Sequence, residues 1–410
     1  MKYSEAIQYL QEQLPMFQRQ GKKAFKKDLK NIKILCRWLG NPERKVKCIH
    51  IAGTNGKGST AHVLAALLQG NNLKVGMYTS PHYIDFRERI KINANYIPKS
   101  YVKRFVKRWQ SEGSALGIQP SFFELTVALA FLFFAEQAVD YMVLETGLGG
   151  RLDSTNVVQP ELSVITNISF DHTSFLGNTL KKIAKEKAGI IKKGVPVLIG
   201  EKQNDVEEVF ERVAISRNSK LSYAKNSPIV AQSLPEQADP FLAKNMRTAL
   251  SAYKLLTKQN ASLRKDASYL LKALKTFKNA TAYIGRWQQI GKRPDIFVDS
   301  AHNEAGLSHL FAFVATLNYS KLLIVFGMVH DKDPSKVYAL LPRDAAYFFA
   351  KADIPRGKDA GVLASELNSL GLQGKPYSTV RRALAAAKRK ANKDDLVLVV
   401  GSIFVVAEVL

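Results

Sequence analysis

A glycine-rich segment near the start of the chain has the residue types that hold phosphate groups. Between a predicted strand and a predicted helix over 59–69, nine consecutive residues read Ala52-Gly53-Thr54-Asn55-Gly56-Lys57-Gly58-Ser59-Thr60. Glycines let successive backbone N–H groups point at one anion, and the positive end of the helix faces the same anion. Lys57 would add a charge for the outer phosphates, and the hydroxyl of Ser59 or Thr60 could reach Mg²⁺. The segment predicts a site for a nucleoside triphosphate.

This segment departs from the usual P-loop pattern at two positions. The pattern has glycine where Ile51 stands and serine or threonine where Gly58 stands. A glycine-rich turn without a ligand is therefore the alternative. A lysine, glycines and two hydroxyls in one strand–loop–helix context favour the nucleotide site.

Chemically useful side chains follow three predicted strands. Ser80 comes after the strand over 75–79, Glu145 ends the strand over 141–145, and His172 follows the strand over 162–167. Ligands of open α/β sheets collect beyond the carboxyl ends of the strands. A hydroxyl, a carboxylate and an imidazole at adjacent strand ends suit a Mg²⁺ ion that bridges phosphates. Each residue alone is more typical of a turn cap or a buried histidine, but together they predict a metal site.

One lysine occupies the apolar side of a predicted helix. In a helix over 180–191, Lys187 falls near the centre of an apolar stripe made by Leu180, Ile183, Ala184, Ala188 and Ile191. A lysine aimed into a core is costly unless it is paired or functional. A long side chain that reaches past the end of the helix to solvent is the alternative. We predict an active-site lysine.

The elements that must position these residues alternate between strands and helices. Apolar, β-branched segments over 46–51, 75–79, 141–145, 162–167 and 195–199 alternate with helical patterns, as βαβ units do. A mostly helical tract over 205–277 follows, interrupted by turns at 226–240. A second strand series then lies over 296–299, 322–326, 347–350 and 396–400.

This pattern predicts an α/β protein of two domains. The first, over 1–283, is an N-terminal P-loop-type, mainly parallel sheet flanked by helices. The second, over 284–410, is a smaller C-terminal Rossmann-like α/β domain. We expect the boundary within 281–293, where Gly285, Gly291 and Pro294 cluster and the periodicity ends.

The composition is that of a folded, basic protein. The 410 residues carry 60 Lys+Arg against 35 Asp+Glu, a formal charge of +25, and 46% are hydrophobic, which excludes disorder as the main state. Cys36 and Cys48 give no disulfide framework and indicate a reducing compartment. The first 20 residues predict an amphipathic helix rather than a signal peptide. The apolar stretch over 122–135 contains Glu124 and is too short to span a bilayer. We expect a soluble, cytoplasmic protein.

The positive charge allows three interpretations. Basic clusters, made by Lys22, Lys23, Lys26, Lys27, Lys103, Arg104, Lys107 and Arg108, could bind a nucleic acid. Solvated helix faces are the plainer explanation, and an anionic small substrate would also be attracted. The basic residues are scattered, and aromatic residues are not interleaved with them as in single-strand binders. Charge alone does not distinguish these three interpretations.

Short motifs spread over nearly the whole chain resemble those of the folylpolyglutamate synthase/dihydrofolate synthase family within the Mur ligase superfamily. They are GTNGKGST at 53–60, TSPH at 79–82, FFE at 122–124, LETGLGGRLDSTN at 144–156, DH at 171–172, EKAG at 186–189, DSAHN at 299–303, GMVHDKD at 327–333 and GS at 401–402. Their order is that of the family. The resemblance implies an ATP-dependent ligase, in which ATP phosphorylates a carboxylate, an amine attacks the acyl phosphate, and ADP and phosphate leave.

The resemblance also implies roles for individual residues. The segment over 53–60 would hold ATP, and two Mg²⁺ ions would be held by Ser59, Ser80, Glu145, His172 and a carbamylated Lys187. Asn245, Arg247 and Arg286 would contact the nucleotide, while Asp299 and His302 would close over it and the acyl phosphate. The expected catalytic residues are Lys187, His172, Asp299 and His302.

The resemblance places a folate site near the same loops. Phe122 and Phe123 would line its pterin side, although a place in the plain apolar core is an equal alternative for both. Arg87 or Arg89 lies in the loop expected to cover this site. Arg151 and Asp153 are also expected at the substrate.

Three functions stay open on the sequence alone. The first is a folate ligase that acts as dihydrofolate synthase, as folylpolyglutamate synthase, or as both, on dihydropteroate or folate with L-glutamate and ATP. The second is a Mur-type ligase of cell-wall precursors, although the 52 residues before Gly53 are too few for a UDP-binding domain. The third is a nucleotide-dependent nucleic-acid-binding protein. We expect a monomer that binds small molecules, and neither nucleic acid nor membrane.

Overall fold

Two separate sheets organise the chain. The computed structural model describes residues 1–14, 28–235, 239–330 and 334–410. They divide into the units Met1–Tyr283 and Ile284–Leu410, and each unit has its own sheet. The predicted α/β class with two mainly parallel sheets is confirmed.

The first unit has an eight-stranded sheet. Its strands are β1 (Lys47–Ala52), β2 (Val75–Tyr78), β3 (Ile90–Ile92), β4 (Asn95–Tyr96), β5 (Tyr141–Glu145), β6 (Leu162–Ile165), β7 (Val197–Ile199) and β8 (Leu221–Tyr223). The order across the sheet is β4-β3-β2-β5-β1-β6-β7-β8. Among the described strands of this sheet, only the pairs β2–β3 and β3–β4 are antiparallel.

Helices of the first unit cover the sheet. They are α1 (Tyr3–Glu12), α2 (Lys30–Trp38), α3 (Lys57–Gln69), α4 (Lys99–Glu112), α5 (Phe122–Glu136), α6 (Thr173–Leu176), α7 (Leu180–Ala188), α8 (Glu207–Ser216), α9 (Pro228–Ser233), α10 (Pro240–Gln259) and α11 (Ala267–Ala280). Helix α3 is buried from Ser59 to Leu68, because the sheet covers one side and α10 and α11 cover the other. This explains why its apolar residues lie all around the helix.

The central strands are buried on both faces, as parallel strands between helices are. Strand β1 lies between β5 and β6, and its residues from Cys48 onward are buried. Ile51 pairs with Glu145, and Ala52 pairs with Ile165. The carboxyl ends of these three strands therefore meet at one edge, where their loops form a shared surface.

The second unit has a six-stranded sheet with the order β13-β12-β11-β14-β10-β9. Its strands are β9 (Gln288–Gly291), β10 (Asp295–Val298), β11 (Leu322–Phe326), β12 (Ala346–Ala350), β13 (Gly374–Tyr377) and β14 (Leu396–Val400). Its helices are α12 (Glu304–Val314), α13 (Ser335–Tyr338), α14 (Ala360–Ser369), α15 (Val380–Lys390) and α16 (Ile403–Ala407). Only β9 is antiparallel to its neighbour.

The sequence predicted the inner parallel strands and missed the strands at the sheet edges and β3, which lies next to an edge. Every strand expected from an apolar run is present, within one or two residues at its ends. The missed strands β3, β4, β8, β9 and β13 are short and carry polar residues. The tract over 205–277 was expected to be mostly helical, with turns at 226–240. Strand β8 interrupts the helical part, and the short helix α9 lies within the predicted turns. Of the helix expected over 1–20, the structure shows α1; residues 15–20 and the cluster at 22–27 lie outside the described residues.

Among the residues that the structure describes, no helix has both the length and the apolar character needed to cross a membrane.

A wholly buried histidine lies in the central strand β1. His50 Nε2 is 2.8 Å from Thr155 Oγ1, and the Thr155 hydroxyl donates to Asp153 Oδ1 at 2.5 Å. A hydroxyl has one hydrogen, so Thr155 accepts from His50, which carries its proton on Nε2. Burial, together with the charge of Lys192, lowers the pKa of His50 to about 3. The imidazole is therefore neutral in the folded protein.

We expect acid to destabilise the first unit through His50. Below pH 6.5 the unfolded chain protonates this residue and the folded chain does not, so the free energy of unfolding falls with pH until the folded pKa of about 3 is reached. From pH 7 to pH 5 this contribution is about 2 kcal/mol. Urea unfolding at several pH values measures it. His50→Asn should show a shallower pH dependence than wild type and than the exposed control His309→Asn; equal slopes in all three proteins would contradict the assignment.

Candidate active site

The phosphate-loop segment curls at two glycines between β1 and α3. Gly53 has a φ of +147° and Gly56 a φ of +81°, values that side chains disfavour. A Cβ atom at Gly53 would overlap Thr166, and one at Gly56 would overlap the amide of Asn245. Both glycines are thus required by the backbone conformation and by close packing. The loop ends at Lys57, the first residue of α3.

The residues after β6 hold this loop in place. Thr54 N–H donates to the Asn167 carbonyl at 2.9 Å, and Asn55 N–H donates to Asn167 Oδ1 at 3.0 Å. The Thr166 hydroxyl donates to the Asn55 carbonyl at 2.7 Å. Sequence reasoning did not single out Thr166 or Asn167. Their position at the end of a predicted strand beside the loop was the available signal.

The departure from the usual P-loop at Gly58 has a structural reason. A Cβ atom there would lie 3.3 Å from Glu145 Oε2, so a serine or threonine would press on this carboxylate. Glu145 is 5% exposed, and its Oε2 accepts the Ser80 N–H at 3.1 Å. The structure thus brings together the loop, Glu145 and Ser80, as the strand-end argument predicts.

The two hydroxyls at the start of α3 differ in their surroundings. Ser59 Oγ lies 2.8 Å from the hydroxyl of Tyr283, the last residue of the first unit. Thr60 is fully buried, and its Oγ1 has no hydrogen-bond partner among the described residues. Ser59, at 8% exposure, is the less completely buried of the two.

Lys187 points into the protein, which confirms its predicted orientation. It is 4% exposed, and its Nζ donates to the Gly53 carbonyl at 2.8 Å, so its side chain does not reach past the helix end to solvent. Burial and the charge of Lys57 lower its pKa to about 7, although Asp171 and Asp153 act in the opposite direction. A large fraction of this amine is therefore neutral near pH 7. Its catalytic role stays a prediction.

Backbone packing fixes the end of α7 that carries Lys187. A Cβ atom at Gly150 would lie 2.8 Å from the Lys187 carbonyl oxygen, and one at Gly189 would overlap Arg151. Arg151 N–H donates to the Glu186 carbonyl at 2.7 Å. The two motifs LETGLGGRLDSTN and EKAG are thus in direct contact.

The contacts of Arg151 and Asp153 are within the chain. Arg151 forms an ion pair with Glu186 at 2.9 Å. Asp153 is 3% exposed; its Oδ2 accepts the N–H groups of Gly147 and Leu148 at 2.8 and 2.9 Å, and burial raises its pKa. These contacts shape the loop after β5. The substrate contacts predicted for both residues find no support in this geometry and stay predictions.

His172 lies beside the acidic residue that precedes it. It has a φ of +50° at the start of α6, and its Nε2 is 3.9 Å from Asp171 Oδ1. About a third of its side chain is exposed. Because Asp171 also acts on the charge of Lys187, the His172 loop borders the same region.

The residues expected at the pterin side form a packed cluster of rings and charges. The Arg89 guanidinium lies 5.2 Å from the centre of the Phe122 ring and donates to His82 Nδ1 at 2.7 Å. Arg87 pairs with Asp85 at 2.7 Å. Arg89 is 3% exposed, and burial lowers its pKa.

The two phenylalanines of the motif FFE differ in exposure. Phe122 is 3% exposed, whereas Phe123 is partly buried and packs against the ring of Tyr78 at 6.0 Å. A Cβ atom at Gly147 would lie 2.5 Å from the Phe123 ring. Phe123 therefore borders the loop after Glu145, and a pterin contact for either ring stays a prediction.

Helix α10 approaches the phosphate loop at Gly56. Asn245 is 5% exposed and lies against that glycine. Arg247 donates to the Gly200 carbonyl and to Asn226 Oδ1, both at 3.2 Å. The structure thus brings Asn245 to the loop, while the contacts of Arg247 are with the segment after β7 and with Asn226.

The candidate residues of the second unit cluster after β10. Asp299 Oδ2 accepts the Trp287 N–H at 2.8 Å, and Oδ1 accepts the Ala301 N–H at 2.8 Å. Arg286 lies 3.9 Å from the same carboxylate. His302 Nδ1 is 2.9 Å from the Ser300 carbonyl. The structure brings Arg286 and Asp299 together within this unit, with His302 on the same loop.

The donor set of the first unit fits a magnesium ion that keeps water or phosphate ligands. Within the described ranges, no three His, Cys, Asp or Glu side chains group as a complete metal cage. The buried Glu145 carboxylate lies beside the loop and accepts the backbone N–H of Ser80. Mg²⁺ is commonly bound by one or two carboxylates plus phosphates and water, rather than by a closed protein cage.

We expect Gly150→Ala to destabilise the first unit, because its Cβ atom would press on backbone carbonyls of α7 that cannot move away alone. The cost should be about 1–3 kcal/mol. Gly194→Ala is the control: its φ is +72° with open space around it, so it costs about 1 kcal/mol. Urea unfolding of the two variants compares them. A Gly150→Ala variant as stable as wild type would show that this close packing is not needed.

Both units match domains of one superfamily. The Mur ligase middle domain matches residues 51–262, and the Mur ligase, glutamate ligase domain matches residues 285–403. The dihydrofolate synthase/folylpolyglutamate synthase of Bacillus subtilis is 32% identical over 94% of this chain and 94% of its own length. A probable bifunctional folylpolyglutamate synthase/dihydropteroate synthase of Haloferax volcanii is 35% identical over the whole chain, which spans half of that protein.

Solved structures show the same fold over the whole chain. Escherichia coli FolC in complex with DHPP and ADP has a TM-score of 0.84 at 28% identity, covering 100% of this chain and 97% of that one. The bifunctional folylpolyglutamate synthase/dihydrofolate synthase of Yersinia pestis, complexed with AMPPNP and Mn ion, has a TM-score of 0.83 at 27% identity, with the same coverage. The chain therefore belongs to the folylpolyglutamate synthase/dihydrofolate synthase family of the Mur ligase superfamily.

Proposed function

We propose that this chain is an ATP-dependent ligase that joins L-glutamate to the carboxylate of a folate or of dihydropteroate. The observation that carries this proposal is the buried Lys187 amine, which contacts the phosphate loop at Gly53. The Glu145 carboxylate, at the end of β5, faces the same loop at Gly58. Relatives named for dihydrofolate and folylpolyglutamate synthesis support it. The choice between one activity and both is part of the proposal.

The reaction joins two groups that do not combine unaided. An oxygen of the acceptor carboxylate attacks the γ-phosphorus of ATP, and ADP leaves. The glutamate amine then attacks the acyl carbon, inorganic phosphate leaves, and the amine loses a proton. The first step brings two anions together, so the loop N–H groups and Lys57 act by neutralising charge and fixing the phosphates.

The metal-binding part of the proposal rests on oxygen and nitrogen donors around the loop. Glu145, Ser80, Ser59, His172 and Lys187 would hold up to two divalent ions. A bound ion would neutralise charge on the phosphates. A solved relative described with AMPPNP and Mn ion supports a nucleotide and a divalent metal.

The state of its buried amine supports the proposal that Lys187 is carbamylated. Carbon dioxide adds only to a neutral amine, and a pKa of about 7 makes that form abundant at neutral pH. The nitrogen lone pair attacks CO₂, one proton goes to solvent, and an anionic carbamate replaces a buried cation. This removes the cost of burying a positive charge next to Lys57 and supplies oxygen donors beside the loop.

We also predict nucleotide contacts for Arg247, Arg286, Asp299 and His302, pterin contacts near Phe122, a monomeric state, and a cytoplasmic location.

Labelled glutamate tests the proposal directly. The purified chain, with Mg²⁺, bicarbonate, ATP and labelled L-glutamate, should convert either dihydropteroate or tetrahydrofolate into a labelled product. Sustained ADP release over many turnovers should require both the acceptor and glutamate. Lys57→Ala should abolish both signals, whereas Lys103→Ala, an exchange on the surface helix α4, should leave them unchanged.

The same assay separates the alternatives. Product from dihydropteroate alone, from tetrahydrofolate alone or from both identifies the activity. ADP release only with a UDP-linked muramyl acceptor and an amino acid would replace the proposal with a cell-wall ligase. No ADP and no labelled product with any acceptor would refute it.

A further inference from the structure

Glu201 lies directly behind the phosphate loop and belongs to none of the motifs. It follows β7 and is partly buried, with a side chain that is 22% exposed. Its Oε1 accepts the Asn167 amide N–H at 3.3 Å. Its Oε2 accepts from the Lys244 ammonium at 3.1 Å. One carboxylate thus joins the segment after β6 to helix α10.

The bond from Glu201 sets which way the Asn167 amide faces. Asn167 Oδ1 accepts the Asn55 N–H at 3.0 Å, and its Nδ2 donates to the Asn55 carbonyl at 3.2 Å. In the opposite orientation, the side-chain N–H groups of Asn167 would face the Asn55 N–H, and its side-chain oxygen would face the Asn55 carbonyl oxygen. That side-chain oxygen would also face the Glu201 carboxylate. Glu201 therefore favours the orientation that clamps the Asn55 peptide.

The same carboxylate links the loop to its second support. Lys244 is adjacent to Asn245, which packs against Gly56. Arg247 lies nearly one turn after Lys244 in α10. It donates to the carbonyl of Gly200, the neighbour of Glu201. The segment 200–201 thus contacts both supports of the loop. One support, Asn167, contacts the loop at Asn55, and the other, Asn245 of α10, contacts it at Gly56.

We propose that Glu201 is a positioning residue for nucleotide binding, which holds the Asn167 amide in the orientation that fixes the Asn55 peptide of the phosphate loop. This inference rests on one part of the proposed function, namely that the phosphate loop binds ATP. Glu201 itself does not touch the phosphates in this account. It acts by keeping backbone N–H groups aimed before the nucleotide arrives, which lowers the ordering cost of binding.

The side chain offers a graded set of variants. Glu201→Ala removes both contacts and releases the Asn167 amide. Glu201→Gln keeps an oxygen that can accept from Asn167 and loses the charge. Lys244→Ala removes only the ion pair, which is partly exposed and contributes little. Glu207→Ala is the matched control, because it breaks a similar ion pair with Lys202 at 2.9 Å without touching the loop.

Binding of ADP with Mg²⁺, measured by calorimetry, tests the inference without turnover. Glu201→Ala should weaken binding about tenfold. Glu201→Gln should recover most of that loss, and Lys244→Ala and Glu207→Ala should bind within about twofold of wild type. In turnover assays, Glu201→Ala should raise the KM for ATP and leave the KM for glutamate unchanged, at an unaltered melting temperature.

A double-mutant comparison of ADP binding distinguishes action through Asn167 from a general structural role of Glu201. If Glu201 acts through Asn167, Asn167→Ala and Glu201→Ala together should weaken binding hardly more than Asn167→Ala alone. Fully additive losses would overturn the inference, as would a Glu201→Ala protein that binds ADP like Glu207→Ala. A wild-type chain that binds ADP but makes no product would refute the proposed function and leave this inference standing on the binding data.

Discussion

The hydrogen bond from the Lys187 amine to the Gly53 carbonyl joins the two parts of the site that the sequence keeps far apart. It ties the end of α7 to the first curve of the phosphate loop, across 134 positions of the chain. Burying an ammonium group is costly, and the pKa of about 7 expresses that cost. The neighbouring acids Asp171 and Asp153 compensate only in part. The site therefore contains a buried amine whose pKa lies near neutral pH.

Glycines keep this interaction in place by allowing backbones to meet without side chains between them. Gly53 and Gly56 give the loop its curve, and Gly150 and Gly189 let the segment after Glu145 pack onto the end of α7. The buried Asp153 carboxylate accepts hydrogen bonds from two backbone N–H groups of that segment. The two motifs LETGLGGRLDSTN and EKAG thus support each other. Catalysis by positioning requires such rigidity, because small displacements of phosphates or donors are costly.

The sequence predicts the parts of this arrangement that depend on local pattern. Apolar runs locate the central strands, and the helical period places Lys187 inward, because burial on both sides leaves a strong signal in the residues themselves. Short strands near the edge of the sheet, such as β3, leave a weak signal: the charge of Lys91 predicts a surface residue, although Lys91 is almost fully buried. Contacts between distant segments leave none. Nothing in the sequence tells that Asp153 turns inward, that Asn167 clamps Asn55, or that Glu201 supports that clamp, since each depends on which loops the sheet order brings together.

We propose that the buried Lys187 amine becomes a carbamate in the working protein. Carbon-13 NMR of the protein in ¹³C-labelled bicarbonate near neutral pH tests it most directly. We expect one carbamate signal in wild type and in the control Lys185→Ala, a change at an exposed lysine of the same helix, and no such signal in Lys187→Ala. The Lys187→Ala protein should also lose turnover and recover part of it with short carboxylic acids. A fully active wild type that shows no carbamate signal at saturating bicarbonate would contradict the account.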